Sequence, residues 1–301
     1  MLSDHLREEL AAISPARECD RLGELSGLCH VAGRAHLHGR GVVDVHLDLA
    51  SPAVVRRAFW LLRSLGVGAE LRTYRRPAFE RATRYELRVD GSAETHGVLL
   101  RAGVLGARRR PLAHPPYRVV ARRCCAASYL RGALLGAGSL SGPRRLHLEI
   151  RTAEPEGARF LAGVSLRLGA PLQVRERGSH AAAYTKDSET VVGVLVAAGA
   201  ADLALALEEE AVVAVTRAAA NRLANADHAN LVRTSRAAQA QLEAVRRLPL
   251  DALPEELREV ALLRLRHPTA STAELARRCR PALSKAGAYR RLRRLQELSA
   301  P

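Results

Sequence analysis

The chain has 301 residues, 48% of them hydrophobic, which is enough apolar material for about two packed domains. Lys and Arg number 47 against 31 Asp and Glu, and the net charge of +16 favours a polyanionic partner such as nucleic acid, although Ala- and Arg-rich usage by itself yields part of that excess. No stretch reaches the length of a membrane span, and five cysteines (Cys19, Cys29, Cys124, Cys125, Cys279), odd in number and without a CxxC pair, argue against a disulfide framework and against a zinc site.

In chain order, residues 1–10 read as a charged amphipathic helix rather than a signal peptide, so the protein is expected in the cytoplasm. Leu25-Ser-Gly-Leu-Cys-His-Val-Ala-Gly33 is helical, and Gly23 and Gly27 place small residues one turn apart on one face. Asp20 and Glu24, one turn apart at the start of this helix, read as ordinary helix N-terminal charge, and His30 as a lone histidine. Val43, Val45, Leu47 and Leu49 alternate with Asp44, His46 and Asp48, the period of a half-buried strand. The strand that should precede it falls in a Gly- and His-rich run and has little signal of its own. A helix follows over residues 52–65, stopped by Gly66; alternating runs at 70–76 and 84–89 are strands, and a short helix ends near Gly103.

Ala107-Arg-Arg-Arg-Pro-Leu-Ala-His-Pro-Pro-Tyr117 cannot continue a helix through its prolines and reads as a linker whose arginines remain available to phosphate. After it the whole pattern returns. Leu130-Arg-Gly-Ala-Leu-Leu-Gly-Ala-Gly138 repeats the first motif, with Ser128, Gly132 and Gly136 as its small stripe. Cys124 aligns with Cys19, His147-Leu-Glu-Ile150 with His46-Leu-Asp-Leu49, Leu168-Gly169 with Leu65-Gly66, and Ser188-Glu-Thr190 with Ala93-Glu-Thr95. The matched stripes predict two helices packed at close range.

Residues 208–245 contain almost no Pro or Gly and predict long helices, broken at Leu248-Pro-Leu-Asp-Ala-Leu-Pro254. Three helices then follow. Pro254-Glu-Glu opens the first, which stops at His267-Pro268; Ser271-Thr-Ala-Glu274 is a capping box for the second, ending near Cys279; Ser284 caps the third, running to about Leu298. Short helices with a basic last member fit a helix-turn-helix, in which residues near the start of the recognition helix reach base edges. Ser284, Lys285, Ala288, Tyr289 and Arg290 are the candidates for reading sequence, and Arg293 and Arg294 for holding phosphate.

The two nine-residue motifs resemble degraded LAGLIDADG motifs. In working endonucleases of that kind an acidic residue before each final Gly holds the catalytic metals; here those positions are Ala32 and Ala137, whose methyls offer Mg²⁺ no oxygen, so no catalytic residue, metal or cofactor is expected. The resemblance implies an α+β fold: a pseudo-twofold αββαββ repeat whose strands build a DNA-facing saddle, followed by an all-α helix-turn-helix domain. On those strands Arg72 with Arg76, Arg84 with Arg88, and Arg175 with Arg177 form basic stripes, interspersed with Glu70, Glu86 and Glu149; the sequence admits either phosphate contact or a solvated outer face.

Nearly the whole chain resembles the WhiA family of bacterial sporulation regulators. The resemblance rests on Cys124-Cys125, Asn221-Arg-Leu-Ala-Asn225, Ala229-Asn-Leu231, Leu253-Pro-Glu-Glu-Leu257, Ser284-Lys285 with Gly287, and Arg291-Leu-Arg-Arg-Leu295. It implies domains at 1–107 (first repeat with the N-terminal helix), 118–247 (second repeat with trailing helices) and 248–301 (helix-turn-helix). It further implies a nucleoid-associated transcription regulator of sporulation, cell-division and cell-cycle genes, bound to double-stranded promoter DNA, with a WhiB-type iron-sulfur regulator or RNA polymerase as partner and no membrane association. Ala226 stands where Cys is usual in that family, and Ala288-Tyr-Arg290 where Val-Asn-His is common; these departures leave the fold alone and bear on the DNA sequence read. Two other readings remain open: an active LAGLIDADG-type homing endonuclease, and an interaction scaffold whose only DNA contact is the helix-turn-helix.

Overall fold

A computed structural model of the chain describes residues 1–37, 43–75, 83–89, 91–142, 145–178 and 180–300. They form two compact units, Met1–Val212 and Val213–Pro301.

The first unit is built twice from one plan. After α1 (Leu2–Ala12), one half runs α2 (Glu18–Ala32), β1 (Gly33–Leu37), β2 (Val43–Leu49), α3 (Pro52–Ser64), β3 (Ala69–Arg75), β4 (Thr83–Val89) and α4 (Ala93–Arg101). The other runs α5 (Arg123–Ala137), β5 (Gly138–Ser141), β6 (His147–Thr152), α6 (Pro155–Arg167), β7 (Gln173–Arg177), β8 (His180–Thr185) and α7 (Ser188–Ala198). Each half carries an antiparallel four-stranded sheet, ordered β1-β2-β4-β3 and β5-β6-β8-β7. The α+β repeat expected from the sequence is the one observed, including the weakly signalled β1.

Local chemistry accounts for the boundaries. Pro52 and Pro155 open α3 and α6, where a missing N–H costs nothing, and Gly66 and Gly169 beyond their ends adopt φ of +80° and +94°. Equivalent caps open α4 and α7: Ser92 Oγ accepts from Thr95 N–H at 3.2 Å, and an Asp187 carboxylate oxygen from Thr190 N–H at 2.8 Å. In β2 the buried valines and leucines alternate with half-buried polar residues, so one face of the sheet closes on the helices and the other is left outside.

The core is continuous through both halves, with α2 against α5 at its centre. Their approach is set by glycine. A Cβ on Gly132 would stand 2.0 Å from the Glu24 carbonyl oxygen, and one on Gly27 would stand 2.1 Å from that of Tyr129. The segment between the halves is packed rather than loose: Gly106 N–H donates to Arg110 O at 2.8 Å, Leu112 N–H to Val104 O at 3.1 Å, and His114 stacks on Phe160 at 4.6 Å.

Helix α8 (Ala201–Arg246) begins in the first unit, where Leu203, Ala204 and Leu207 join the core and the Glu9 carboxylate accepts from the N–H groups of Asp202 and Leu203 at 2.9 and 3.0 Å. Its last turns belong to the second unit, with Gln241, Leu242 and Val245 buried. That unit adds α9 (Glu255–Arg266), α10 (Thr272–Arg278) and α11 (Lys285–Leu298) around Val260, Leu275, Leu292 and Leu295. Among the described residues no helix is long and apolar enough to cross a membrane.

Candidate nucleic-acid interface

Two side-chain caps and one buried cation hold the C-terminal helices in place. Ser271 Oγ accepts from Glu274 N–H at 3.2 Å to start α10, and Ser284 Oγ accepts from Gly287 N–H at 3.0 Å to start α11. The link between them, residues 279–284, contains Pro281, which cannot continue a helix; Leu283 N–H donating to Ala276 O at 2.9 Å closes it back on α10. Arg264, only 1% exposed, donates to the Ala270 carbonyl at 2.7 Å and to Gln241 Oε1 at 2.7 Å, so its guanidinium satisfies carbonyls in the bend after α9 and ties that bend to the end of α8.

Helix α11 turns Ala288, Leu292 and Leu295 inward and presents the rest. Ala288 is fully buried, so its methyl packs the core and cannot touch a base; it leaves the set of readers expected from the sequence. Ser284 stays at the start of the helix with its hydroxyl oxygen engaged in capping. Lys285 and Arg290 are exposed and have no carboxylate partner among the described residues, and Tyr289 is 55% exposed. Lys285, Tyr289 and Arg293 repeat every four residues and share one face of the helix, beside Arg290 and Arg294. Arg293 and Arg294 both pair with Glu297 at 3.3 Å, while Arg291 turns aside to Glu256 at 2.9 Å and braces α11 against α9. Arg277 on α10 is a further exposed cation with no carboxylate partner among the described residues.

The sheet arginines present a different picture. Among the described residues, cross-strand register puts Arg34, Arg72, Arg84 and Arg88 on the outer face of the first sheet together with Asp44, Asp48, Glu70 and Glu86, in equal numbers. Three of them are already engaged: Arg72 with Glu70 at 3.0 Å, Arg84 with Asp48 at 3.1 Å and Arg88 with Glu86 at 2.8 Å. Arg76 lies outside the described residues. On the second sheet Arg151, Arg175 and Arg177 share the outer face with Glu149. Burial opposes ionisation of Glu149, but hydrogen bonds from Arg151 and His147 and the charges of Arg151 and Arg175 hold its carboxyl below the usual range. Arg175 also lies over the Tyr184 ring at 4.8 Å. Arg177 is exposed, with no ion pair among the described residues, and Arg151 is a basic residue of this face that the sequence reading passed over.

At the centre of the first unit, Ala32 and Ala137 end α2 and α5 and the chain passes directly into β1 and β5. Glu24 is not a helix-end charge. It is fully buried, with Arg57 Nε and a terminal nitrogen at 2.6 and 2.9 Å and Arg131 Nε at 2.9 Å, so one carboxylate on α2 joins α3 of its own half to α5 of the other. His30 is packed beside Tyr129, and its Nδ1 lies 2.7 Å from the Ser26 carbonyl, to which it donates.

Comparison with known proteins covers the same ground. Residues 18–105 match the WhiA N-terminal LAGLIDADG-like domain, 126–217 the WhiA LAGLIDADG-like domain and 220–299 the WhiA C-terminal HTH domain. The probable cell division protein WhiA of Heliobacterium modesticaldum is 34% identical over 299 residues, covering 97% of this chain and 94% of its own. That of Acidothermus cellulolyticus is 36% identical over 314 residues, covering 100% and 96%. The crystal structure of full-length WhiA from Thermatoga maritima superimposes with a TM-score of 0.58 at 23% identity, covering 98% of this chain and 96% of that one, which is a likeness of fold. With its repeated α+β domain, its terminal three-helix unit and this extent of identity, the chain belongs to the WhiA family.

Proposed function

We propose that this chain is a sequence-specific DNA-binding transcription regulator whose reader is the C-terminal helix-turn-helix, with α11 as recognition helix. The observation that carries the reading is the exposed set Lys285, Tyr289 and Arg290 at the start of α11, capped by Ser284 and without carboxylate partners among the described residues, with Arg293 and Arg294 one turn further on. A guanidinium or ammonium near the start of such a helix can bond guanine O6 and N7, and cations further along can hold phosphate. The name shared by its relatives supports cell-division genes as targets. Sporulation and cell-cycle promoters, action on the nucleoid in the cytoplasm, and a WhiB-type or RNA polymerase partner belong to the same proposal.

In this reading the repeated domain has lost nuclease chemistry, because Ala32 and Ala137 supply no oxygen to a divalent cation. Its role is a grip on the flanking duplex or a platform for a partner. The charge balance among the described residues of the first sheet's outer face, with Arg72, Arg84 and Arg88 already paired, favours the platform for that half. The net basic outer face of the second sheet favours the grip for the other.

The test is selection of bound fragments from genomic DNA by the full chain, followed by affinity measurements with Mg²⁺ present. Lys285→Ala with Arg290→Ala should lose discrimination at particular base pairs by about 1–3 kcal/mol each. Arg175→Ala with Arg177→Ala should lower affinity evenly across sequences if the second sheet grips phosphate, and leave it unchanged if the domain is a platform. Specific binding that survives the α11 pair would overturn the assignment, and chelator-sensitive cutting of any site would restore the endonuclease reading.

A further inference from the structure

The first turns of α2 and α5 bring together Cys19, Asp20, Cys124 and Cys125, the one group of three or more metal-binding side chains found among the described residues, with ligand atoms all within 4.8 Å of one another. Each pair of neighbours comes from the equivalent place in one copy of the repeat: Cys19 corresponds to Cys124, and Asp20 to Cys125. No spacing rule applied to a single stretch of sequence can detect such a site, since half of its ligands lie in each half of the repeat, ahead of its motif.

We propose that these four residues form a Zn²⁺ site that fastens the two halves of the repeat together at the N-terminal ends of their central helices. The spacing within each neighbouring pair is that of a tetrahedral site, and all four ligand atoms lie within 4.8 Å. Zn–S bonds of about 2.3 Å require sulfur atoms about 3.8 Å apart, and a carboxylate oxygen at about 2.0 Å lies about 3.5 Å from each sulfur. Cys124 Sγ and Cys125 Sγ are 3.8 Å apart, and Cys19 Sγ is 3.6 Å from Asp20 Oδ1. Atoms this close leave room for one ion and not for a polynuclear cluster.

The surroundings suit the charge of the filled site. Zn²⁺ with three thiolates and one carboxylate carries a net charge of −2, after release of the three thiol protons. Its residues lie in the first turns of two helices, whose N-termini are each equivalent to roughly +0.5 charge. Arg17, the residue before α2, reaches to 3.9 Å from Cys124 Sγ, and Arg122 stands at the equivalent place before α5. Cys125 is buried, while Cys19 and Cys124 are partly exposed, and a cleft of about 530 Å³ lined in part by Cys19, Leu22, Arg122 and Cys125 gives an ion a way in. The other two cysteines take no part: Cys29 lies further along α2, and Cys279 donates to the Leu275 carbonyl in the other unit.

The full chain, purified under reducing conditions and freed of metal, is titrated with Zn²⁺ against a chromophoric chelator and, separately, with Co²⁺. The expected result is one equivalent of zinc per chain, a visible Co²⁺ spectrum of a tetrahedral thiolate site, and a melting temperature that rises with zinc. Cys124→Ser should weaken zinc binding by more than the roughly 10–100-fold that loss of an outer hydrogen-bonding partner costs a metal site. Asp20→Asn, milder for folding, should keep the cobalt spectrum's thiolate bands while lowering affinity, and Cys279→Ser should match the parent. Substoichiometric zinc, or affinity left unchanged by both Cys124→Ser and Asp20→Asn, would overturn the site.

Discussion

Replacing Gly132 with Ala tests the packing of α2 on α5 directly. A new Cβ would sit 2.0 Å from the Glu24 carbonyl oxygen and 2.9 Å from Leu28 N, both backbone atoms that cannot swing aside. An ordinary carbon–oxygen contact needs about 3.3 Å, so the helices must part by about 1.3 Å. A gap of that size forfeits half or more of each dispersion contact along the seam, and overpacking of this kind costs about 3 kcal/mol or more. Against it stands the intrinsic helix preference of Ala over Gly, about 1 kcal/mol. The net loss is about 2 kcal/mol, or roughly 4–8 °C in a unit of this size. Gly163→Ala on α6 is the matched control: nothing lies within 4 Å of its Cβ, so only the favourable term remains and the protein should gain about 0.5–1 kcal/mol. Thermal and urea unfolding of the two variants should therefore move in opposite directions. A Gly132→Ala protein as stable as the parent would refute close packing of the two motif helices.

Three further outcomes follow from named contacts. Glu24→Gln leaves Arg57 and Arg131 buried without a counter-charge and should cost about 3–5 kcal/mol by urea unfolding; a loss below about 1 kcal/mol would mean that the triad is wet. His30 is held down to about 4, chiefly by burial, with the charge of His114 adding to it and the Ser26 hydrogen bond opposing it, and its Nε2 has no partner for a second proton among the described residues. Unfolded His30 protonates near 6.5, so the unfolded chain takes up more protons between those values and stability falls as pH drops from about 6.5 towards 4, by up to about 3 kcal/mol. His30→Gln should flatten that part of the urea-midpoint profile, and parallel profiles would remove His30 as the cause. Finally, Glu297→Gln frees Arg293 and Arg294 together. If both hold phosphate, DNA affinity rises at low salt, and the Arg293→Ala, Arg294→Ala double variant loses about 1.8 from the log–log salt slope; an unchanged slope would take them out of the interface.

Much of the fold was legible because its signals are local. Hydrophobic period, the stop at Gly66 and the caps at Ser271 and Ser284 all act within four or five residues of chain, so the order of helices and strands follows from the sequence. The loss of both motif carboxylates is likewise a fact of composition at two positions. Charge partnership is local only in part, as between Arg72 and Glu70 or Arg88 and Glu86. Arg84 lies 36 residues from Asp48, Arg175 lies 26 from Glu149, and Glu24 lies 107 from Arg131, so only the folded register decides that these stripes are largely neutralised and that Glu24 is a buried link between halves. Ala288 failed as a base reader for a related reason: helical position says which residues share a face, but the direction of that face is set by what α9 and α10 cover. The cysteines show the same division most sharply. Cys19 with Asp20, and Cys124 with Cys125, are unremarkable neighbours in sequence, and the four side chains cluster only because glycine at 23, 27, 132 and 136 lets two helices meet closely enough to bring their first turns together.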